Sequence, residues 1–208
     1  GLDFLELMKT VGEHVAKHVK ENVDVSTPVI FLCGHGNNGG DGYIAAEILR
    51  RENYNVKLYE GDLFKKGSYD KAFINCSAVI HAGATVGFNR ETPQEVYDGC
   101  FTENEHVVES VIKSDSIKRL VFTSSFAAVA HPRPEGYVFD EKDWCGDNVE
   151  AYKGAWSTDN ISKNRDIAYA MAKANTEKYI YEVAEKDGNF EAISINPLHV
   201  ICLLYTSP

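Results

Sequence analysis

Short apolar runs alternate with helical stretches along most of this chain, and that alternation limits the possible folds more than any other feature. The runs are Pro28–Cys33 (PVIFLC), Asn55–Tyr59 (NVKLY), Ser77–His81 (SAVIH), Arg119–Thr123 (RLVFT) and Phe190–Ile195. Each is short and rich in branched side chains, the signature of a buried strand. Helices are expected over 2–21, with Leu5, Met8, Val11, Val15 and Val19 at helical spacing, and over 43–53. Others are expected over 68–75, over 92–114, and from Asp166 to a C-cap at Gly188. In the fourth of these Val96, Val107, Val108, Val111 and Ile112 face inward. Strands joined by helices give right-handed βα units, hence a parallel sheet with helices on both faces.

Between the first strand and its helix lies GHGNNGGDG, Gly34–Gly42. Gly34, Gly36 and Gly39 satisfy GxGxxG in the position the motif requires, after a strand and before a helix. Such glycines permit a tight turn, let backbone approach a pyrophosphate, and aim a helix N-terminus at the anion. The same residues also suit a plain strand-to-helix turn that binds nothing. Glu60, at the end of the second strand, stands about 20 positions on, where a ribose 2′-hydroxyl would be held; Asp62 competes for that role. The expected fold class is α/β, a Rossmann-like doubly wound parallel sheet of about five strands.

Ligands on such sheets bind beyond the carboxyl ends of the strands. The glycine loop, His81–Ala84, Ser124–Ser125 and Asn196–Pro197 all fall there. The helix that follows carries Tyr169 and Lys173, four apart and so on one face. A phenol beside a held ammonium is expected to have a lowered pKa and to serve as a proton donor to a carbonyl oxygen. By itself the spacing is weak; its place at the ligand-binding ends of the strands gives it weight. Residues from His131 to about Lys163 are polar and aperiodic, a long loop of the kind that lies over a site.

With 21 basic and 31 acidic residues the chain carries a formal charge of −10 and no basic run, which argues against nucleic acid and anionic membranes as partners. No apolar run reaches the roughly 20 residues of a membrane span. The five cysteines are scattered, without CxxC or histidines at ligand spacing, so reduced thiols in a cytoplasmic protein are expected and no metal site. His14 and His18 read as surface residues.

From about Leu58 to Val200 the chain resembles an extended short-chain dehydrogenase/reductase of the dihydroflavonol and cinnamoyl-CoA reductase type. The matching pieces, in family order, are EGDL (Glu60–Leu63), HAGA (His81–Ala84), KRLVFTSSFAAV (Lys118–Val129), DEKDW (Asp140–Trp144), YAMAK (Tyr169–Lys173) and NPLHV (Asn196–Val200). The resemblance implies NAD or NADP as cofactor and a small-molecule carbonyl as substrate. It implies Tyr169 as general acid, Lys173 as holder of the nicotinamide ribose, and Ser125 as the residue fixing the carbonyl. Asp62 and Leu63 would touch adenine, Ala82 and Gly83 would line the cofactor, and Pro197 to Val200 would meet the nicotinamide.

The front is similar to something else. LMKTVGEHVA (Leu7–Ala16) and CGHGNNGGDGYIAAEIL (Cys33–Leu49) resemble the N-terminal part of an NAD(P)H-hydrate epimerase, where the residue at Asn38 helps place a potassium ion. The strand bearing that family's catalytic aspartate is not recognisable downstream. The expected organisation is therefore an epimerase-like helix and first βαβ unit over 1–57, a reductase-like remainder over 58–201, and a non-native tail over 202–208. The substrate lobe of the reductases is expected to be missing, as in a truncated chimera. Carbonyl reduction is the leading function; an epimerase-like nucleotide site and an inactive nucleotide-binding fragment are the alternatives.

Overall fold

The computed structural model describes residues 4–34, 36–84, 91–129, 133–146 and 156–198, without the side chains of Phe4, Asn37 and Asn38. The element order is α1 (Phe4–Asn22), β1 (Val29–Cys33), α2 (Asn37–Arg51), β2 (Val56–Glu60), β3 (Ala78–His81), α3 (Pro93–Ile112), β4 (Arg119–Thr123), α4 (Arg165–Asp187) and β5 (Glu191–Ile195). Short 3-10 helices cover Phe126–Ala128 and Thr158–Lys163. All five expected strands form, and every pairing is parallel. The ladders fall into two sets, β1-β2 and β3-β4-β5, and the chain separates into two compact units between Asp62 and Leu63.

In the first unit Val29 pairs with Val56 and Cys33 with Glu60. Helix α2 packs on this pair through Ala45, Ala46 and Leu49, all with no exposed surface. Helix α1 packs on α2 by a narrower stripe than its apolar spacing suggested. Leu5 and Val15 are exposed, and the buried positions are Gly12 and Ala16. Close approach is the reason: a Cβ on Gly12 would stand 2.6 Å from Ile44 Cγ2. Small residues here let the two helix backbones meet, which larger ones would prevent. His14 and His18 are exposed, as expected.

In the second unit α3 opens with a capping box. Thr92 accepts from the Glu95 amide at 3.2 Å, and the Glu95 carboxylate accepts from the Thr92 amide at 2.9 Å. Such a cap contributes about 1 kcal/mol. Val96, Val107, Val108 and Val111 are buried, but Ile112 at the last turn is exposed. The expected helix over 68–75 is a run of turns instead. Gly67 and Asn75 take positive φ, and the Asp70 carboxylate is drawn out to Ser110 (2.6 Å) and Lys113 (2.8 Å) of α3. Helix α4 starts on an Asn164 cap and ends at Gly188, whose φ of 69° fits the left-handed C-cap.

Helices α3 and α4 cover one face of β3-β4-β5, where Val79, His81, Leu120 and Phe122 are buried. On the other face Ile80 (77% exposed), Ile193 and Ile195 meet solvent. Part of the polar loop is built round Asp143, which accepts from Arg133 (2.9 Å), Tyr137 (2.7 Å) and the Asp140 amide (2.9 Å). It docks through the Cys145 amide on the Ala128 carbonyl, 2.7 Å.

Candidate active site

The glycine loop lies wholly in the first unit. Helix α2 begins at Asn37, six residues before the expected Tyr43, so Gly39, Gly40 and Gly42 sit in its opening turns. Most of these glycines have a packing reason. A Cβ on Gly39 would fall 1.9 Å from the Gly34 carbonyl oxygen, one on Gly40 2.2 Å from Met8 Sδ, and one on Gly42 2.8 Å from Cys33 Sγ. Among the described residues Gly34 meets only the Gly61 carbonyl oxygen at 3.6 Å, and Gly36, the N-cap of α2, has nothing within 4 Å. Glu60 ends β2 opposite Cys33, and Asp62 is exposed. The side chain of Asn38, the potassium ligand under the alternative, lies outside the described residues.

The second unit gathers Ser125, Tyr169 and Lys173. Strand β4 ends at Thr123 and delivers Ser124 and Ser125 to its carboxyl end. Ser125 caps the 3-10 helix, its Oγ accepting from the Ala127 amide at 3.2 Å. Its side chain also acts on the phenol of Tyr169, favouring the ionised form. Lys173 is 1% exposed and points its ammonium along the same side. Its Nζ lies 3.5 Å from the Thr123 carbonyl oxygen, 5.1 Å from the centre of the Phe122 ring and 5.8 Å from that of Tyr169.

The electrostatics correct one expectation. The Tyr169 phenol is raised above its ordinary value, not lowered, because burial penalises the phenolate more than the Ser125 hydrogen bond favours it. Burial likewise lowers the Lys173 ammonium, opposed by the carboxylates of Glu103 and Glu177. His81, also buried, is pushed down to about 4 by the same desolvation, with Lys173 adding to it. Its Nε2 lies 2.9 Å from Asn104 Oδ1, and Asn104 Nδ2 donates to the Cys100 carbonyl, so the ring Nε2–H is the donor.

Around this core the remaining expected residues scatter. A Cβ on Gly83 would stand 3.2 Å from Leu63 Cδ1, so those two are neighbours; Ala82 is exposed beside them. The Pro197 carbonyl accepts from the Phe126 amide at 2.9 Å, which keeps it against the segment after Ser125. Val200 lies outside the described residues. The sequence reading missed Glu177 altogether. It is 3% exposed, one further turn along the Tyr169–Lys173 stripe, and holds Trp144 and Asn196. Extending the i, i+4 series from Lys173 would have found it.

Comparison with known proteins agrees with the two resemblances. Residues 5–107 match the family of the YjeF-related protein N-terminus, which covers the epimerase-like front and runs on into α3. A dihydroflavonol 4-reductase from Gerbera hybrida is 30% identical over 162 residues, covering 76% of this chain and 41% of that protein. A cinnamoyl-CoA reductase from Medicago truncatula is 29% identical over 151 residues, covering 70% and 42%. The chain is a homologue of these reductases. It spans less than half the length of either relative. Among solved structures, Gre2 from Candida albicans in complex with NADPH aligns with TM-score 0.68 at 19% identity, covering 90% of this chain and 54% of that one. Vestitone reductase from alfalfa aligns at 0.58 and 19%, covering 89% and 52%. These likenesses establish for the homologue a Rossmann-type α/β fold. No helix among the described residues is long and apolar enough to cross a membrane.

Proposed function

We propose that this chain carries the proton-handling and cofactor-holding part of an NAD(P)H-dependent carbonyl reductase. The observation behind the reading is the buried Lys173 ammonium, 5.8 Å from the centre of the Tyr169 ring, with Ser125 at the end of β4 acting on the same phenol. A phenol raised above its ordinary value is protonated at neutral pH, the form needed to give a proton to a carbonyl oxygen. Ser125 holds that oxygen beside the phenol. Lys173 spends its remaining donors on ribose hydroxyls, and its charge then favours the phenolate left after proton transfer. When bound, the nicotinamide supplies the hydride.

The donor set fits a polar ligand. Ser124 Oγ is buried at the end of β4 with no hydrogen-bond partner among the described residues, and the Lys173 ammonium reaches the carbonyl of the preceding residue, Thr123, at 3.5 Å. Ala82 and Gly83 are assigned to line the cofactor, Pro197 to Val200 to meet the nicotinamide, and Asp62 with Leu63 to touch adenine. Gly34, Gly36 and Gly39 are assigned to phosphate and Glu60 to ribose. NADPH is the first choice over NADH because Gre2 was solved with NADPH. The substrate class is a small-molecule carbonyl. Free thiols at Cys33, Cys76, Cys100 and Cys145 suit the cytoplasm.

Titrating NADPH and NADH against the wild type and Lys173→Ala tests the reading. Saturable NADPH binding that Lys173→Ala abolishes is expected. Binding unaffected by Lys173→Ala but lost in Gly36→Val would shift the assignment to an epimerase-like site in the first unit, which the YjeF-related match favours.

A further inference from the structure

The stripe that brings Tyr169 and Lys173 to one face of α4 continues to Glu177, and this residue has the contacts of a support rather than of a packed core group. Its carboxylate is buried, where an unneutralised charge is costly. Oε1 accepts from Asn196 Nδ2 at 2.6 Å, and Oε2 accepts from Trp144 Nε1 at 3.1 Å. The same Asn196 nitrogen donates to the backbone carbonyl of Ser125 at 3.2 Å. One carboxylate therefore reaches the end of β5, the turn after β4 and the loop carrying Trp144.

We infer that Glu177 is a positioning residue of the reductase site: through Asn196 it fixes the backbone of Ser125, and through its charge it supports the Lys173 ammonium one turn away. The inference rests on the reductase reading for its purpose, but not for its geometry. Ser125 has three anchors: the Ala127 amide on its hydroxyl, and the Ala128 amide (2.9 Å) and Asn196 on its carbonyl. Without Asn196, the residue is held only by the contacts of the 3-10 turn. Asn196 needs a fixed acceptor to hold that pose, because its amide bridges two groups. Glu177 Oε1 supplies it at a charge-assisted distance. The groups facing Lys173 are Cys100 and Glu103 of α3, His81 of β3, Phe122 of β4, and Tyr169 and Glu177 of its own helix. Glu177 is the one among them that also touches the Ser125 anchor.

The test uses the full chain, free of cofactor, labelled for NMR at lysine Cε and at backbone amides. Lys173→Arg and Ser125→Ala identify the two signals. In Glu177→Gln, which keeps the volume but removes the charge, the Ser125 amide resonance is expected to move and the Lys173 titration midpoint to fall. In Asn196→Ala only the Ser125 resonance moves, because the charge beside Lys173 remains. A residue that merely stabilised the fold would lower the unfolding midpoint in both variants and leave the Lys173 titration where it was. An unmoved Ser125 resonance or an unmoved Lys173 midpoint in Glu177→Gln overturns the inference. Should Glu177→Gln not fold, Glu177→Asp replaces it, with the charge kept and the reach shortened. It is expected to displace Ser125 alone, and an undisplaced Ser125 overturns the inference equally. Parallel NADPH titrations separate this from the larger reading. A chain that binds no NADPH in any form removes the reductase assignment, while the spectra still decide what Glu177 holds.

Discussion

The two candidate sites of this chain are built on opposite principles. The glycine loop of the first unit looks functional as a motif, yet packing explains most of it: Gly39 presses on the Gly34 carbonyl, Gly40 on Met8 and Gly42 on Cys33. The Tyr169–Lys173 pair of the second unit looks weak as a motif, yet packing does not explain it. An ammonium and two carboxylates, Lys173, Glu103 and Glu177, are each buried to within 3%. A fold gains little from a buried group of charges, whereas it gains directly from glycines where backbones touch. Physical cost, rather than motif strength, is what separates the two candidate sites.

The largest effect expected from this contrast is at Gly39. An alanine there would place its Cβ 1.9 Å from a backbone oxygen, and no side chain can move aside to relieve it. Gly39→Ala should cost at least about 3 kcal/mol, the upper range of overpacking, measured as a drop in urea unfolding free energy. Gly40→Ala should cost less, because its neighbour is the flexible end of Met8. If Gly39→Ala were tolerated, the packing account of the loop would be wrong.

Nearly as large is the acid sensitivity of the second unit. His81 is buried, with a folded value of about 4 against an ordinary 6.5. Its unfolded form takes up a proton first as pH falls, so stability is lost between about 6.5 and 4 and is fully present above that window. The difference corresponds to about 3 kcal/mol. In His81→Gln the urea midpoints at pH 7 and pH 4 should lie closer together than in the wild type. An identical pH dependence would mean that the imidazole is not held neutral.

Much of this was legible in the sequence. The strands are short, branched and apolar, so period and composition located β4 to the residue and the others to within one. The α1 stripe misled because Gly12 and Ala16 form its contact, and hydrophobicity does not register small residues that allow close approach. The turns at 68–75 were misread because their shape comes from Ser110 and Lys113, about 40 residues away. Likewise Tyr169 and Lys173 were found by spacing, but the direction of the Tyr169 shift was not. The phenol responds first to burial, which only the packed structure reveals. Glu177 went unnoticed because an acid on a helix reads as solvated surface until Asn196 and Trp144 are seen on it.

A smaller effect, but one of opposite sign, sharpens the contrast at Lys173. Burial is the largest influence on its ammonium, so the cation is a cost to the folded state. Lys173→Met keeps the length and removes the charge. It should leave stability unchanged or raise it by about 1 kcal/mol at pH 7, while abolishing NADPH binding. The lowered folded value also means that wild-type stability rises with pH as the folded state gives up its proton before the unfolded one. Lys173→Met should lack that alkaline rise in urea titrations. A large loss of stability in this variant would recast Lys173 as a structural partner of Glu103 and Glu177.

The smallest stability change is expected at Gly36, and it decides whether the glycine loop does anything besides pack. Among the described residues no atom lies within 4 Å of where its Cβ would be, and its φ of −84° is open to any residue. Replacing a glycine N-cap with alanine should therefore cost less than about 1 kcal/mol. If the loop also receives a phosphate at the N-terminus of α2, the empty space at Gly36 is where that anion approaches, and a methyl group would obstruct it. Gly36→Ala should then weaken NADPH binding at least about tenfold, equivalent to 1.4 kcal/mol, with its unfolding curve almost unchanged. Wild-type affinity in this variant would leave the loop without a phosphate role, and the whole chemical interest of the chain to β4 and α4.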